Sequence, residues 1–226
     1  MKKKAHENKY INQELVINEM KYYWRYFEKK TIYIVSKILA NDIVYQEKLK
    51  QWLQKSNNGL ENKNIKNISL IYRGSRDGFK SSIFHELCDN QGETLVIIKS
   101  NNNYIFGGYT SISWDSTKWN GNVGKDNNAR REGKGLEFVF ILKNPYHFPP
   151  SKFNIKNEWL HHSICCDVNL GPIFGCNDIR IENSCNTNPN SFKYYDFNPR
   201  EYCFDDTTGK KRMLFTINLI IYSKRN

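Results

Sequence analysis

The sequence predicts an α+β protein, mainly β, in which two packed sheets follow an α-helical N-terminal arm. Three observations carry that reading. Apolar residues recur at helical spacing up to residue 55 and in strand-like runs from residue 67 onward. Beyond residue 67 the runs are short and separated by polar, Asn- and Gly-containing stretches, the pattern of a sandwich. Apolar residues make up only 39% of the chain, yet 14 Tyr, 13 Phe and 5 Trp supply large side chains for a core, so disorder of most of the chain is excluded. A length of 226 residues suits one large domain, or one domain with a helical arm.

Residues 1–12 read as a basic disordered tail and 13–56 as the helical arm. Val16, Met20, Tyr23, Trp24 and Phe27 fall on one face of a helix over 13–30. A second short helix is expected over 33–41. A third is expected near 43–55, capped by Asn41-Asp42 and with Tyr45, Leu49, Trp52 and Leu53 on one face. Ser56-Asn57-Asn58-Gly59 ends it, and the polar stretch 57–66 reads as a linker to a domain over 67–226.

In that domain Ile68–Tyr72 reads as a strand, and Arg73–Gly78 as a loop. A helix follows with Phe79, Ile83, Phe84 and Leu87 on its apolar face and Asp77 as its N-cap. Thr94–Lys99 and Tyr104–Ser111 form a hairpin across Asn101–Asn103. Gly107-Gly108 inside its second strand signals a bulge or a close backbone approach. Residues 115–135 read as a long polar loop, Leu136–Leu142 as a strand and Asn144–Pro150 as a break. Short strands at Ser163–Val168 and Asp178–Glu182 flank the Gly171–Gly175 turn, and 183–210 is a long polar segment. The apolar run Leu214–Tyr222 has the composition of a central strand.

No stretch approaches the roughly 18 consecutive apolar residues that span a bilayer. The basic N-terminus lacks a following apolar core, so no secretory signal is expected. The six Cys, at 88, 165, 166, 176, 185 and 203, are then expected as reduced thiols in a cytosolic or nuclear setting. The formal net charge is +11, and residues 1–66 carry 14 Lys and Arg against 7 Asp and Glu. That excess fits an acidic partner such as nucleic acid, anionic lipid or an acidic protein face, or else a solvated helical arm. The dominance of Lys over Arg favours the solvated arm over nucleic-acid binding.

Four ordered blocks resemble the TLDc domain. The first is Leu70-Ile71-Tyr72-Arg73-Gly74-Ser75-Arg76-Asp77-Gly78-Phe79. The second is Phe84-His85-Glu86-Leu87-Cys88-Asp89, followed by Gly92 and Thr94–Lys99. The third is Phe106-Gly107-Gly108-Tyr109-Thr110-Ser111, ending in Trp114. The fourth is Gly171-Pro172-Ile173-Phe174-Gly175 with Asp178-Ile179, and Leu214–Tyr222 is similar to the family's last strand. The resemblance implies a two-sheet antiparallel β-sandwich flanked by helices. It further implies a protein partner, namely the vacuolar proton-pumping ATPase, and a part in resistance to oxidative stress, with no established catalysis. The arm over 13–55 is similar to the helical stretch before this domain in fungal and protist relatives. In one place the chain departs from the pattern: Asp126-Asn127-Asn128-Ala129 runs into Arg130-Arg131-Glu132-Gly133-Lys134-Gly135 before the strand begins, which implies a longer, positively charged hairpin.

Each chemically suggestive residue has a plainer explanation. Arg73, Arg76 and Asp77 offer a charged cluster, or a cap and an Arg–Asp pair that fixes a loop. His85 lacks a nucleophile and an orienting group at recognisable spacing. His162 and Cys165 have the spacing of a zinc pair, but Cys176 and Cys185 are too far apart for the second, and adjacent Cys165 and Cys166 point to opposite faces of a strand. Exposed thiols of low pKa would instead be oxidisable. Neither Gly107-Gly108-Tyr109 nor Gly171-Pro172-Ile173-Phe174-Gly175 precedes a helix, so neither is expected to cradle phosphate. Tyr109 and Phe174 read as core anchors, and Gly74, Gly78, Gly107, Gly108, Gly171, Pro172 and Gly175 as architecture. The expectation is therefore a non-enzymatic interaction module without cofactor or metal. Arg73, Arg76, Asp77, Arg130 and Arg131 are its candidate partner-binding residues. Its expected place is the cytoplasm, with recruitment to organelle membranes. A thiol antioxidant or other enzyme, and an anionic-surface or nucleic-acid role for the arm, are the alternatives.

Overall fold

Strand positions in the middle of the domain are apolar without alternation, which in an antiparallel sheet requires cover on both faces. The computed structural model describes residues 34, 36–39, 42–54, 67–118, 130–144, 149–175, 178–188 and 217–225. The expected tail 1–12, helix 13–30, linker 57–66, residues 189–210 of the polar segment and 214–216 of the last strand lie outside them. The fold is α+β, mainly β. In chain order it comprises helix α1 (Ile43–Gln54), β1 (Asn67–Arg73), the helical turn α2 (Gly74–Asp77), helix α3 (Ser81–Cys88), β2 (Thr94–Ser100) and β3 (Ile105–Thr110). There follow β4 (Arg130–Arg131), β5 (Phe138–Lys143), β6 (Ser151–Asn154), β7 (Ile164–Cys165), β8 (Ile173–Phe174), β9 (Ile179–Arg180) and β10 (Ile217–Arg225). Among the described residues two 3-10 turns, Ser116–Lys118 and Asn157–His162, interrupt the series.

The strands form two antiparallel sheets, six strands in the order β1-β10-β2-β3-β5-β6 and four in the order β4-β7-β8-β9. The last strand of the chain is thus an interior one, held between β1 and β2. Residues paired across strands share a face. One such row runs Tyr72, Ile221, Val96, Gly108, Val139, Phe153, and its side chains belong to one core with Ile164, Phe174 and Ile179 of the smaller sheet. The next row, Ile97, Gly107, Phe140, faces the other way, and Trp52 of α1 lies tilted against Phe140 with centroids 6.1 Å apart. The larger sheet therefore carries a sheet on one face and a helix on the other, and β3 is buried along its whole length.

Helix α1 begins where Asp42 caps it. The Asp42 Oδ1 accepts the Tyr45 N–H at 3.1 Å, and the Asp42 carbonyl accepts Gln46 N–H at 3.2 Å. Leu49 and Leu53 form its buried stripe. Before it, where a short helix over 33–41 is expected, Lys37–Leu39 is a turn. The Ser36 hydroxyl accepts the N–H groups of Ile38 and Leu39 at 3.2 and 3.3 Å, an arrangement that competes with helical pairing.

Three further local expectations are corrected, and one strand falls where none is expected. The stretch after Arg73 is not simply a loop but contains the one-turn α2. Helix α3 starts at Ser81 with Lys80 in the N-cap position, not with Asp77, and its Ser81 N–H is accepted at 3.0 Å by Asn183 Oδ1, 102 residues further on. Residues 171–175 are not only a turn, because Ile173–Phe174 pairs on both sides as β8. The region after Pro149-Pro150 returns as the edge strand β6. At Gly107-Gly108 the ladder is continuous and the register shift falls at Ile105/Phe106, so close approach, not a bulge, explains the glycine pair.

Candidate functional site

The charged end of the first motif closes on itself. Asp77 Oδ2 accepts the Arg73 backbone N–H at 2.8 Å, and the Arg76 guanidinium forks onto the same carboxylate, Nε to Oδ1 at 2.5 Å and Nη2 to Oδ2 at 2.7 Å. The Arg76 fork is the main reason the Asp77 carboxyl is held below its usual range; burial opposes it and the Arg73 N–H assists. Behind the pair, Gly74 lies against the Phe79 ring with no room for a Cβ, and Gly78 turns the chain at φ 107°. The Tyr72 hydroxyl donates to the Gly78 carbonyl at 2.7 Å. Arg76 itself remains accessible, its side chain 43% exposed. Arg73, Arg76 and Asp77 thus meet at the end of β1, an edge strand of the larger sheet.

Arg130 and Arg131 lie elsewhere. They are β4, the outer strand of the smaller sheet, paired with Cys165 and Ile164 of β7. The two basic candidates therefore occupy edge strands of different sheets. The Asp126–Ala129 stretch that leads into β4 lies outside the described residues.

The motif aromatics run through the interior as a chain of rings. Tyr72 meets Phe84 edge-on at 6.2 Å, Phe84 meets Trp114 at 5.6 Å, and Trp114 meets Phe174 at 5.5 Å with planes 88° apart. One ring comes from each of the four motif blocks. Trp114 is anchored by its indole N–H, which donates to Thr94 Oγ1 at 2.9 Å. The Phe174 ring lies on Gly108, where a Cβ would stand 2.7 Å from its nearest carbon, and at Gly107 a Cβ would collide with the Val96 carbonyl. Gly171 donates its N–H to the Ile181 carbonyl at 2.8 Å, the Pro172 carbonyl accepts Ile181 N–H at 3.3 Å, and Gly175 adopts φ 64°. Tyr109 stacks on Phe138 at 5.2 Å and donates its hydroxyl to Glu93 at 2.5 Å; burial first, and that carboxylate second, push its phenol up.

Two polar arrangements escape a reading of sequence alone. Glu137 is 0% exposed. Its carboxylate accepts the N–H groups of Ser111 at 3.3 Å, Lys134 at 3.3 Å and Leu136 at 3.1 Å, together with the Ser111 hydroxyl. Such a set of donors is what a buried carboxylate requires. Nothing in the sequence marks it, because a single Glu at the start of a strand has the pattern of a surface residue.

His85 does have an orienting group, contrary to the expectation. Its Nδ1 lies 2.9 Å from Asp89 Oδ1, and its Nε2 lies 2.9 and 3.0 Å from the carbonyl oxygens of Asp167 and Leu170. The visible signal was the i,i+4 spacing of His85 and Asp89. Asp89 Oδ2 in turn accepts the N–H and hydroxyl of Ser116 at 2.8 and 2.6 Å.

Three of the four described thiols are core atoms. Cys88 is pushed far up by burial, Cys185 to about 12 by the same cause, and the fully buried Cys166 accepts the Asp115 N–H at 3.3 Å. Cys165 is half-buried, and Cys176 and Cys203 lie outside the described residues. Among the described residues, no group of three His, Cys, Asp or Glu is placed to hold a metal ion, and no helix is long and apolar enough to cross a membrane.

A mainly β scaffold of two antiparallel sheets, cross-braced by motif aromatics, defines the class. The chain matches the TLDc domain over residues 34–212 and belongs to that family. Among curated proteins, a 54-residue stretch is 39% identical to human Interferon-induced protein 44, covering 24% of this chain and 12% of that protein's length.

Proposed function

We propose that the protein is a non-enzymatic TLDc interaction module that binds a protein partner through its sheet edges. The observation that carries this reading is that the motif rings Tyr72, Phe84, Trp114 and Phe174 pack on one another, Gly74 and Gly108 lie against rings, and His85 and Glu137 are held by hydrogen bonds to neighbouring groups. The partner is the vacuolar proton-pumping ATPase, as the family resemblance implies, and resistance to oxidative stress is the cellular output. The setting is cytoplasmic, with recruitment to the pump's membrane. Recognition is steric and electrostatic: Arg76 and the Arg130-Arg131 strand meet an acidic face, and differential affinity for assembled and disassembled pump shifts that equilibrium. Thiol chemistry is a weaker reading, because Cys88, Cys166 and Cys185 are buried and two of them are held protonated.

The test is capture of purified pump subunits by the full chain at moderate salt, repeated with an Arg76→Glu, Arg130→Glu, Arg131→Glu variant. Binding to the wild type that the variant loses by tenfold or more, about 1.4 kcal/mol, is expected. Absence of any pump subunit from the wild-type capture overturns the proposed partner. Peroxide consumption by the purified protein, abolished by Cys165→Ser, overturns the non-enzymatic reading.

A further inference from the structure

His85 is 6% exposed and joins three separate pieces of chain. It sits in α3, faces the Asp89–Ser116 cluster on one side, and faces the turn 167–170 on the other. That turn is closed by Leu170 N–H to the Asp167 carbonyl at 2.9 Å and by Asn169 N–H to Asp167 Oδ1 at 2.9 Å, and it leads straight into Gly171-Pro172-Ile173-Phe174-Gly175.

The carbonyls of Asp167 and Leu170 only accept, so Nε2 must carry a proton to satisfy them. Asp89 already accepts two donors from Ser116, which keeps it ionised, so Nδ1 must also carry a proton. Only the imidazolium satisfies both sides at once. A neutral ring keeps one proton and must abandon either the carboxylate or the turn, whichever tautomer forms.

We propose that His85 is a proton-dependent latch: its imidazolium fastens the 167–170 turn to the Asp89–Ser116 cluster, and loss of one proton releases one of the two sides. The groups around it are few. Among the described residues Asp89 supplies the charge acting on the ring, the Asp167 carboxylate is turned away to the Asn169 N–H, Ser116 addresses Asp89, and the Phe84 ring packs at 4.7 Å.

The direction of the pH effect follows from this geometry. Burial opposes the charged ring most strongly, but the Asp89 contacts and the two carbonyls outweigh it and raise His85 above its ordinary 6.5. A raised folded value gives stability that is fully present below the unfolded value and is lost as pH rises through the folded one. Asp89 is lowered from 3.8 despite its burial, chiefly by its bond to His85, so its contribution is lost only as pH falls through that lowered value. The latch is therefore closed below the raised His85 value and opens as pH rises through it.

The experiment is an NMR titration of the full chain from about pH 5.5 to about pH 9, with ¹⁵N-labelled histidine and backbone amides. Both His85 ring nitrogens are expected at imidazolium shifts in the acidic half, with a midpoint above 6.5, and the amides of Val168, Asn169 and Leu170 are expected to move with that same midpoint. Asp89→Asn is expected to shift the midpoint downward, and His85→Gln to abolish the amide transition. A wild-type midpoint below 6.5, or turn amides that do not follow His85, overturns the latch; this wild-type readout decides even where a variant fails to fold.

Discussion

Two regions of the molecule use opposite physics. At the ring chain, Tyr72, Phe84, Trp114 and Phe174 come from four distant blocks and are each at most 1% exposed. At the end of β1, Arg73, Arg76 and Asp77 are near neighbours in sequence whose contacts are local, and Arg76 faces solvent. The first region holds both sheets together through contacts of long sequence separation. The second fixes only its own turn. A signature motif therefore combines two functions within ten residues: Tyr72 and Gly74 belong to the scaffold, and Arg76 to the surface.

That contrast is sharpest under substitution. Trp114→Ala removes the ring at the middle of the chain and leaves the Thr94 hydroxyl without its indole donor. A loss of about 3–5 kcal/mol is expected, read as the shift in a urea unfolding midpoint at unchanged slope. An intermediate effect is expected for the native thiols. Cys88, Cys166 and Cys185 should stay unmodified by a thiol reagent in buffer and react on unfolding, as intact mass reports. At the other extreme, Arg76→Ala is expected to leave the unfolding midpoint in place, because an exposed ion pair contributes little, while it weakens partner capture. A destabilised Arg76→Ala, or a Trp114→Ala of native stability, would erase the distinction between the regions.

What could be read from sequence followed the range of the forces involved. Helix α1 and its Asp42 cap, the β2–β3 hairpin with Asn103 at φ 62°, and the interior position of the last strand all follow from local chemistry or from an unbroken apolar run. In the smaller sheet the expected strands Ser163–Val168 and Asp178–Glu182 contain β7 and β9, whereas β8 is only two residues long between glycines and has no period to distinguish it from a turn. Asp77 has the composition of a cap for the helix that follows, yet the carboxylate is claimed by Arg73 and Arg76, and Asn183 takes the capping role across the fold. For Glu137 and the His85 cluster most partners are backbone groups brought in by tertiary structure, and a backbone N–H or carbonyl has no letter in a sequence; the His85–Asp89 spacing is the legible part.

Gly108 lets the Phe174 ring of the smaller sheet lie on β3, and the urea unfolding of Gly108→Ala reads out that packing role. The added methyl must displace the Phe174 ring, so a loss of about 1–3 kcal/mol is predicted, with partner binding per folded molecule unchanged. An unaltered midpoint accompanied by lost binding would instead place this glycine in the recognition surface and not in the scaffold.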